Sequence, residues 1–285
     1  MNDQFPAISI IVINYNTPVL VGNLIQSIVD CTRQIDYEII VLNNGCNQTG
    51  KFGAGASKTF VRTIDSAENL GFARAANVAA ASAENAFLLF ANSDCKVGSN
   101  VIPRLTKFML DNPDAAACSP RTLSPGGQTH STIRRFPTHE NIRASRGAFI
   151  RRGDDYTLPA DDSRKPVEAM AATFMLVRRD YFQQVGGFDE RFFMFVEDTD
   201  LCKKFQGIGK SVWYLGDIDV MHIWGASTSQ HRLRMKYHHH LSIWKYFRKY
   251  YPNETFANWW LAVQLTANLG LVAIASLLKL SRDQA

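Results

Sequence analysis

The sequence predicts an α/β fold, a Rossmann-like and mostly parallel sheet flanked by helices, with a C-terminal helical extension. Three observations carry this expectation. Apolar strand-like runs alternate with helical stretches from residue 8 to residue 111, and parallel neighbours need such crossover helices. The first run, 8–13, is rich in β-branched residues and nearly unbroken by polar ones, the mark of a strand covered on both faces. Far downstream, 256–278 contains no charged residue, a composition unlike the rest of the chain.

The elements follow in order. The first strand ends at Asn14-Tyr15-Asn16, after which Thr17 is the expected N-cap and Pro18 the first residue of a helix to about Cys31. A second strand is expected over 38–42, closed by Asn43-Asn44-Gly45, and a third over 59–64, beyond a loop rich in Gly and Lys at 50–57. Asn69-Leu70-Gly71 turns the chain into an alanine-rich helix over 72–83, whose small side chains suit close packing. Ala86 to Phe90 is the fourth strand, and a helix follows from about Ser99 to Asp111. From Pro120 to Pro166 the pattern gives way to Gly, Pro, Arg and Asp, expected to form a functional loop. A strand over 167–177 and a short helix from Arg179 to Gly186-Gly187 come next, then a helix opening on Glu197-Asp198-Thr199-Asp200. Ser211 to Leu215 and Asp219 to Met221 read as edge strands, with His222 directly behind them. The expected organisation is one domain over 1–229, in two halves (1–119 and 120–229), then an extension over 230–285.

Composition narrows the function. A chain of 285 residues with 46% hydrophobic and 20% charged residues can bury a substantial core, which excludes wholesale disorder. The net charge of +5 is unevenly spread, with one basic region at Arg134, Arg135, Arg143, Arg146, Arg151 and Arg152 and another over 231–249. Such regions suit phosphates or anionic lipid, or are simply solvated faces. No base-reading motif interleaved with aromatics is present, so no nucleic-acid partner is expected. Five scattered cysteines, at 31, 46, 95, 118 and 202, form no C-x-x-C pair, which argues for a reducing compartment and against a disulfide framework. The N-terminus has no basic n-region, so no secretory signal is expected. His238-His239-His240 reads as a polar surface, because consecutive helical side chains diverge and cannot converge on one ion.

Chemistry is expected at the strand ends. No G-x-G-x-x-G follows the first strand and no P-loop is present, so a nucleotide would be held by strand-end Asn, Asp and Arg side chains. Asn92-Ser93-Asp94 follows the fourth strand, where open α/β sheets bind ligands, and an acid there can hold a hard cation; the same three residue types also make ordinary turns. In the tail, Asn258, Gln264, Thr266 and Asn268 interrupt the apolar stretch that Trp259, Trp260 and upstream Lys245, Arg248 and Lys249 flank. A helix lying in a membrane interface and a helix packed on the domain both fit it.

An ordered set of motifs resembles the family 2 inverting glycosyltransferases, within them the bacterial rhamnosyltransferase-like branch. It comprises residues 11–16, 41–44, Asn69 to Asn77, Asn92-Ser93-Asp94, Gly186 to Glu190, Glu197-Asp198-Thr199-Asp200 and His222. The resemblance implies a GT-A fold with a nucleotide-binding half (1–119) and an acceptor and catalytic half (120–229), a nucleotide-sugar donor and a divalent metal, Mn2+ or Mg2+. It assigns the nucleoside to Asn14, Tyr15, Asn16, Asn43, Asn69 and the Gly71 turn, with Arg74 near the phosphates. Asp94 and His222 match metal positions, Asn92 a supporting polar contact, and Asp198 the catalytic base with Glu197 beside it. Inverting transfer needs one carboxylate to take the acceptor hydroxyl's proton as that oxygen attacks the anomeric carbon. The family usually carries Asp where Asn43 stands, and Asn92 is a weaker ligand than Asp; both departures bear on the base and the metal.

What the resemblance implies is a cytoplasmic enzyme at the inner face of the cell membrane, with peripheral contact through 240–280. It would move a sugar such as rhamnose from a dTDP- or UDP-linked donor to a growing glycan or lipid-linked saccharide. The other readings are a GT-A-fold scaffold with a weakened site and a sugar nucleotidyltransferase.

Overall fold

The structure, a computed structural model, describes residues 5–45, 52, 60–146, 158, 160–223 and 232–282. Strands β1 (Ile8–Asn14), β2 (Tyr37–Asn44), β3 (Phe60–Ser66) and β4 (Phe87–Asn92) pair in parallel in the order β3-β2-β1-β4. Helices α1 (Pro18–Cys31) and α2 (Gly71–Ala81) are crossovers between them. The expectation that β1 is covered on both faces holds. Ile11 packs in a core cluster with the alanines of α2 and with Phe90, while Ile10 and Val12 pack on the other side with Leu24 and Ile28 of α1.

The sheet continues past β4 with antiparallel partners. Short β5 (Cys95–Val97) leads to helix α3 (Val101–Asp111), and β6 (Ala115–Leu123) follows. The expected division at residue 119 therefore falls inside a strand. The stretch expected to be irregular holds β7 (Thr129–His130), β8 (Ile133–Arg134), helix α4 (His139–Arg146) and β9 (Arg164–Val167) among its described residues. The single strand expected over 167–177 is divided, into β10 (Ala169–Met170) and β11 (Phe174–Arg178), because β10 leaves the sheet to pair with β8. Helix α5 (Arg179–Gln184) follows, then α6 (Glu197–Gly207).

The two expected edge strands form one strand, β12 (Ser211–His222), and it lies inside the sheet. It runs parallel to β6 and antiparallel to both β5 and β9, with a register shift between Leu215 and Asp219. The Gly216-Asp217 step that looks like a break in sequence is that irregularity. Gly216 also lets the chain pass Asp161 and Ser163, where a Cβ would overlap their backbone.

Helices α7 (Arg232–Tyr250) and α8 (Thr255–Arg282) form a hairpin. His240 Nε2 lies 2.9 Å from Asn268 Oδ1, and Asn258 donates to the Tyr251 carbonyl at 2.7 Å near the turn. Leu261 and Leu265 of α8 pack with Ile243, Tyr246 and Phe247 of α7 and with Phe192 and Val196 of the domain. The histidine triplet is not a polar surface. His238 stacks on Phe193 at 4.4 Å, His239 meets Phe195 edge-on, and His240 is buried.

Candidate active site

The carboxyl ends of β1, β2 and β4, the end of β12 and the start of α6 enclose a cavity of about 280 Å³. Its lining includes Tyr15, Asn69, Gly71, Asn92, Asp94, Glu197, Asp198 and His222. Residues more than a hundred positions apart in the chain thus share one site. Of the other residues the motifs pointed to, Asn14, Asn16, Asn43 and Arg74 stand outside the lining.

Asn14 and Asn43 are buried in a chain of hydrogen bonds behind it. The Thr17 amide donates to Asn14 Oδ1 at 3.0 Å, Asn14 Nδ2 to Asn43 Oδ1 at 2.7 Å, and Asn43 Nδ2 to Asp65 Oδ1 at 2.6 Å. A backbone N–H can only donate, so it sets the orientation of both amides in turn. Thr17 is therefore tied to Asn14 and does not cap α1 with its side chain, as the sequence suggested. Arg74 is half-exposed on α2, 4.0 Å from Glu68 and 3.9 Å from Glu190.

Asn44, which the motif reading passed over, clasps the turn before α2. Its Oδ1 accepts from the Leu70 amide at 2.8 Å, and its Nδ2 reaches Asn69 Oδ1 and the Gly71 carbonyl. Gly71 has φ +78°, and a Cβ there would overlap the carbonyl of Phe193. That same carbonyl accepts from the Phe72 amide at 2.7 Å. The conformation of Gly71 is thus fixed by its close approach to the segment that leads into α6.

Asp94 and His222 meet because β12 pairs antiparallel with β5, which places His222 opposite Cys95. His222 Nε2 lies 2.9 Å from Asp94 Oδ1, and both residues are buried. With Cys95 Sγ, their ligand atoms all fall within 4.8 Å of one another. Burial, and then the charge of Asp94, push the Cys95 thiol well above its ordinary pKa, and it donates to the Thr173 carbonyl at 3.5 Å. A neutral, occupied thiol is a poor ligand for a hard cation. The Asp94 oxygen and His222 nitrogen remain, a mixed pair that would suit a divalent cation.

The carboxylates of α6 arrive on strained backbone. Phe195 and Val196 both have left-handed φ, +67° and +69°, and for a β-branched residue this is an outlier that costs on the order of 1–3 kcal/mol. Packing of Phe192 and Val196 against α7 and α8 holds the turn in place. Asp198 Oδ1 accepts from the Thr199 amide at 2.7 Å and lies 3.5 Å from Arg134 Nη1, and its Oδ2 accepts from the Ala172 amide at 3.4 Å. Glu197 is equally buried, but its Oε2 has no hydrogen-bond partner among the described residues. Burial, and then the neighbouring Asp198 charge, raise its carboxyl well above the usual range. Two adjacent acids therefore sit in opposite electrostatic situations, one held by donors and a cation, the other desolvated.

Behind them, Asp200 is fully buried and takes Lys249 Nζ at 2.6 Å and the Tyr250 hydroxyl at 2.8 Å. Lys203 lies over the rings of Phe136, Tyr246, Tyr250 and Tyr251 at 4.5–5.5 Å. These contacts dock the back of α6 on α7. Sequence reasoning gave Ser131, Thr132, Arg234 and Met235 no place in the site, and it read Arg134 only as part of a basic region suited to phosphates. The aromatic run Phe192-Phe193-Met194-Phe195 was the visible signal that this segment approaches another surface.

A mixed sheet with an Asp–His pair and a two-carboxylate helix start at its strand ends defines a GT-A-type glycosyltransferase architecture. Residues 9–186 match the family described as Glycosyl transferase family 2; the chain belongs to that family and is a glycosyltransferase. It is 27% identical over 258 residues to the N-acetylglucosaminyl-diphospho-decaprenol L-rhamnosyltransferase of Mycobacterium tuberculosis, covering 84% of this chain and 81% of the relative. Over 93 residues it is 31% identical to Rhamnosyltransferase WbbL of Escherichia coli strain K12, covering 32% of this chain and 34% of that protein. Among solved structures, the mannosyltransferase PcManGT of Pyrobaculum calidifontis with GDP-Man and Mn2+ superposes with a TM-score of 0.58 at 16% identity, over all of this chain and 81% of that one. GalNAc-T7 with UDP, GalNAc and Mn2+ superposes with a TM-score of 0.57 at 14% identity, over 77% of this chain; the match spans only 43% of GalNAc-T7.

Proposed function

We propose that the protein transfers a deoxyhexose such as rhamnose, with inversion, from a dTDP- or UDP-linked donor to a lipid-linked saccharide at the inner face of the cell membrane. The observation that carries this reading is the single cavity lined by Asp94, His222, Glu197 and Asp198. The rhamnosyltransferase relative, whose name gives rhamnose and a diphospho-decaprenol acceptor, supports the sugar and the acceptor class.

In this reading Asp198 takes the proton of the attacking hydroxyl. Its carboxylate is aimed by the Thr199 and Ala172 amides and Arg134. Glu197 beside it supplies a desolvated wall that keeps water from the reacting carbon. Asp94 and His222 would hold a divalent cation, whose chemistry when bound is to neutralise charge on the departing diphosphate. Tyr15, Asn69 and Asn92 line the nucleoside side, and the Asn14–Asn43–Asp65 chain fixes the strand ends beneath them.

The helix stretch Thr255–Ala275 is long and apolar enough to cross a membrane, and 17% of its most apolar window is buried. Its buried side carries Asn258, Leu261 and Leu265, whereas Phe256, Trp259, Trp260, Val263, Leu271 and Ile274 form an exposed stripe. One packed face and one bare apolar face support a helix lying at the membrane surface.

The test is product analysis with a panel of dTDP-, UDP- and GDP-linked sugars, manganese and a lipid-diphosphate N-acetylglucosamine acceptor. Metal-dependent release of nucleoside diphosphate and an inverted linkage are expected with a dTDP- or UDP-deoxyhexose. Turnover with none of the donors would favour a scaffold, and pyrophosphate release would establish a nucleotidyltransferase.

A further inference from the structure

Two features of the C-terminal hairpin converge on the mouth of the cavity. The first is Arg234, which lines the cavity with Met235 from the first turn of α7. Its side chain is exposed, and among the described residues it forms no ion pair. Arg134, the other arginine of the lining, lies beside Asp198 instead. An exposed guanidinium at the rim of a cavity whose floor is acidic is placed to meet an anion of a ligand entering from outside.

The second feature is the register of the hairpin. The His240–Asn268 and Tyr251–Asn258 contacts make α7 and α8 antiparallel neighbours. Carried six residues further from the first contact, that register brings Arg234 roughly level with Ile274. The exposed stripe of α8 thus runs from Phe256 and the two tryptophans up to the level of the cavity mouth. Its 18 residue steps span about 27 Å at the rise of an α-helix. One end of this apolar track therefore lies level with an exposed guanidinium of the cavity lining.

We propose that Arg234 binds the diphosphate of the lipid-linked acceptor, whose apolar chain lies along the exposed stripe of α8. This rests on the acceptor class proposed above and adds where that acceptor is held. A planar guanidinium gripping a diphosphate with two parallel N–H donors would fix the distance between lipid and reacting sugar, so that a hydroxyl of the first sugar reaches Asp198. The donor's own diphosphate is assigned to a different group, the cation that Asp94 and His222 would hold.

The inference is tested by titrating farnesyl diphosphate into the full chain by calorimetry, with dTDP and UDP plus manganese as control ligands. Arg234→Ala is expected to weaken farnesyl diphosphate binding roughly 10- to 100-fold, the range of a charge-assisted bidentate contact, and to leave the nucleotides within about twofold. Arg234→Lys, which keeps the charge and loses the fork, should fall between. Unchanged farnesyl diphosphate binding, no binding by the wild type, or a loss confined to the nucleotides would overturn it. The outcomes separate from those of the transfer assay. A protein that binds farnesyl diphosphate through Arg234 yet transfers no sugar removes the transferase reading alone, and an active enzyme indifferent to Arg234 removes this inference alone.

Discussion

Replacing Asp198 by Asn removes the proposed base while preserving shape, and the structure sets the size of each consequence. Asn can keep its oxygen for the Thr199 amide, which donates to Asp198 Oδ1 at 2.7 Å. Its NH2 group then faces the Ala172 amide, which donates to Oδ2 at 3.4 Å, and two donors oppose one another. That mismatch, with Arg134 left beside a neutral group, costs about 1–3 kcal/mol of stability. Loss of general-base catalysis should lower kcat by roughly 10²- to 10⁴-fold, or about 2.7–5.4 kcal/mol in the barrier. Nucleoside diphosphate release at saturating donor and acceptor gives kcat, calorimetry with manganese gives donor affinity, and urea unfolding gives stability. A kcat within about threefold of wild type would refute the assignment of Asp198. So would a loss of kcat fully accounted for by weaker donor binding, since the base touches the acceptor's proton and not the nucleotide.

The remaining predictions concern the acids around this base and the hairpin. Glu197 has a raised carboxyl pKa in the folded protein, so its neutral form favours folding. That contribution is fully present below the unfolded value near ~4.3 and is lost as pH rises toward the folded value. Glu197→Gln should therefore gain stability relative to wild type between pH 5 and pH 8, read from urea midpoints; a constant difference at both pH values would contradict the desolvation argument. Lys249→Met deprives the fully buried Asp200 of its cation and leaves it only the Tyr250 hydroxyl. A loss of about 3–5 kcal/mol is expected on unfolding, and a change below about 1 kcal/mol would show that the docking of α6 on α7 does not depend on this pair. Trp259→Ser with Trp260→Ser should reduce flotation with anionic vesicles by at least about tenfold while leaving the unfolding transition in place, since both rings are exposed. Equal flotation would place any membrane contact elsewhere.

Much of the fold was legible because its N-terminal half is built from locally patterned elements. The apolar run of β1 and the Pro18 start of α1 declare themselves within a few residues, and the parallel order follows from their alternation. The second half was harder. Gly216-Asp217 reads as a break between two edge strands, but only the pairing of β12 with β5, β6 and β9 shows a continuous interior strand. A strand's position in a sheet depends on partners distant in sequence, which local pattern does not encode.

The sequence by itself determined which side chains could do chemistry: the order of Asn92-Ser93-Asp94, Glu197-Asp198 and His222 is a one-dimensional signal. The tertiary structure alone decided which of them meet. Asp94 and His222 are neighbours because an antiparallel pairing closes 128 residues of chain. Arg74 faces Glu68 and Glu190 on the outside of α2, whereas Arg234 comes to the cavity on α7. In sequence only Arg74 belongs to a motif. The direction in which each helix presents its side chain is fixed by how that helix packs, and packing is a property of the whole core.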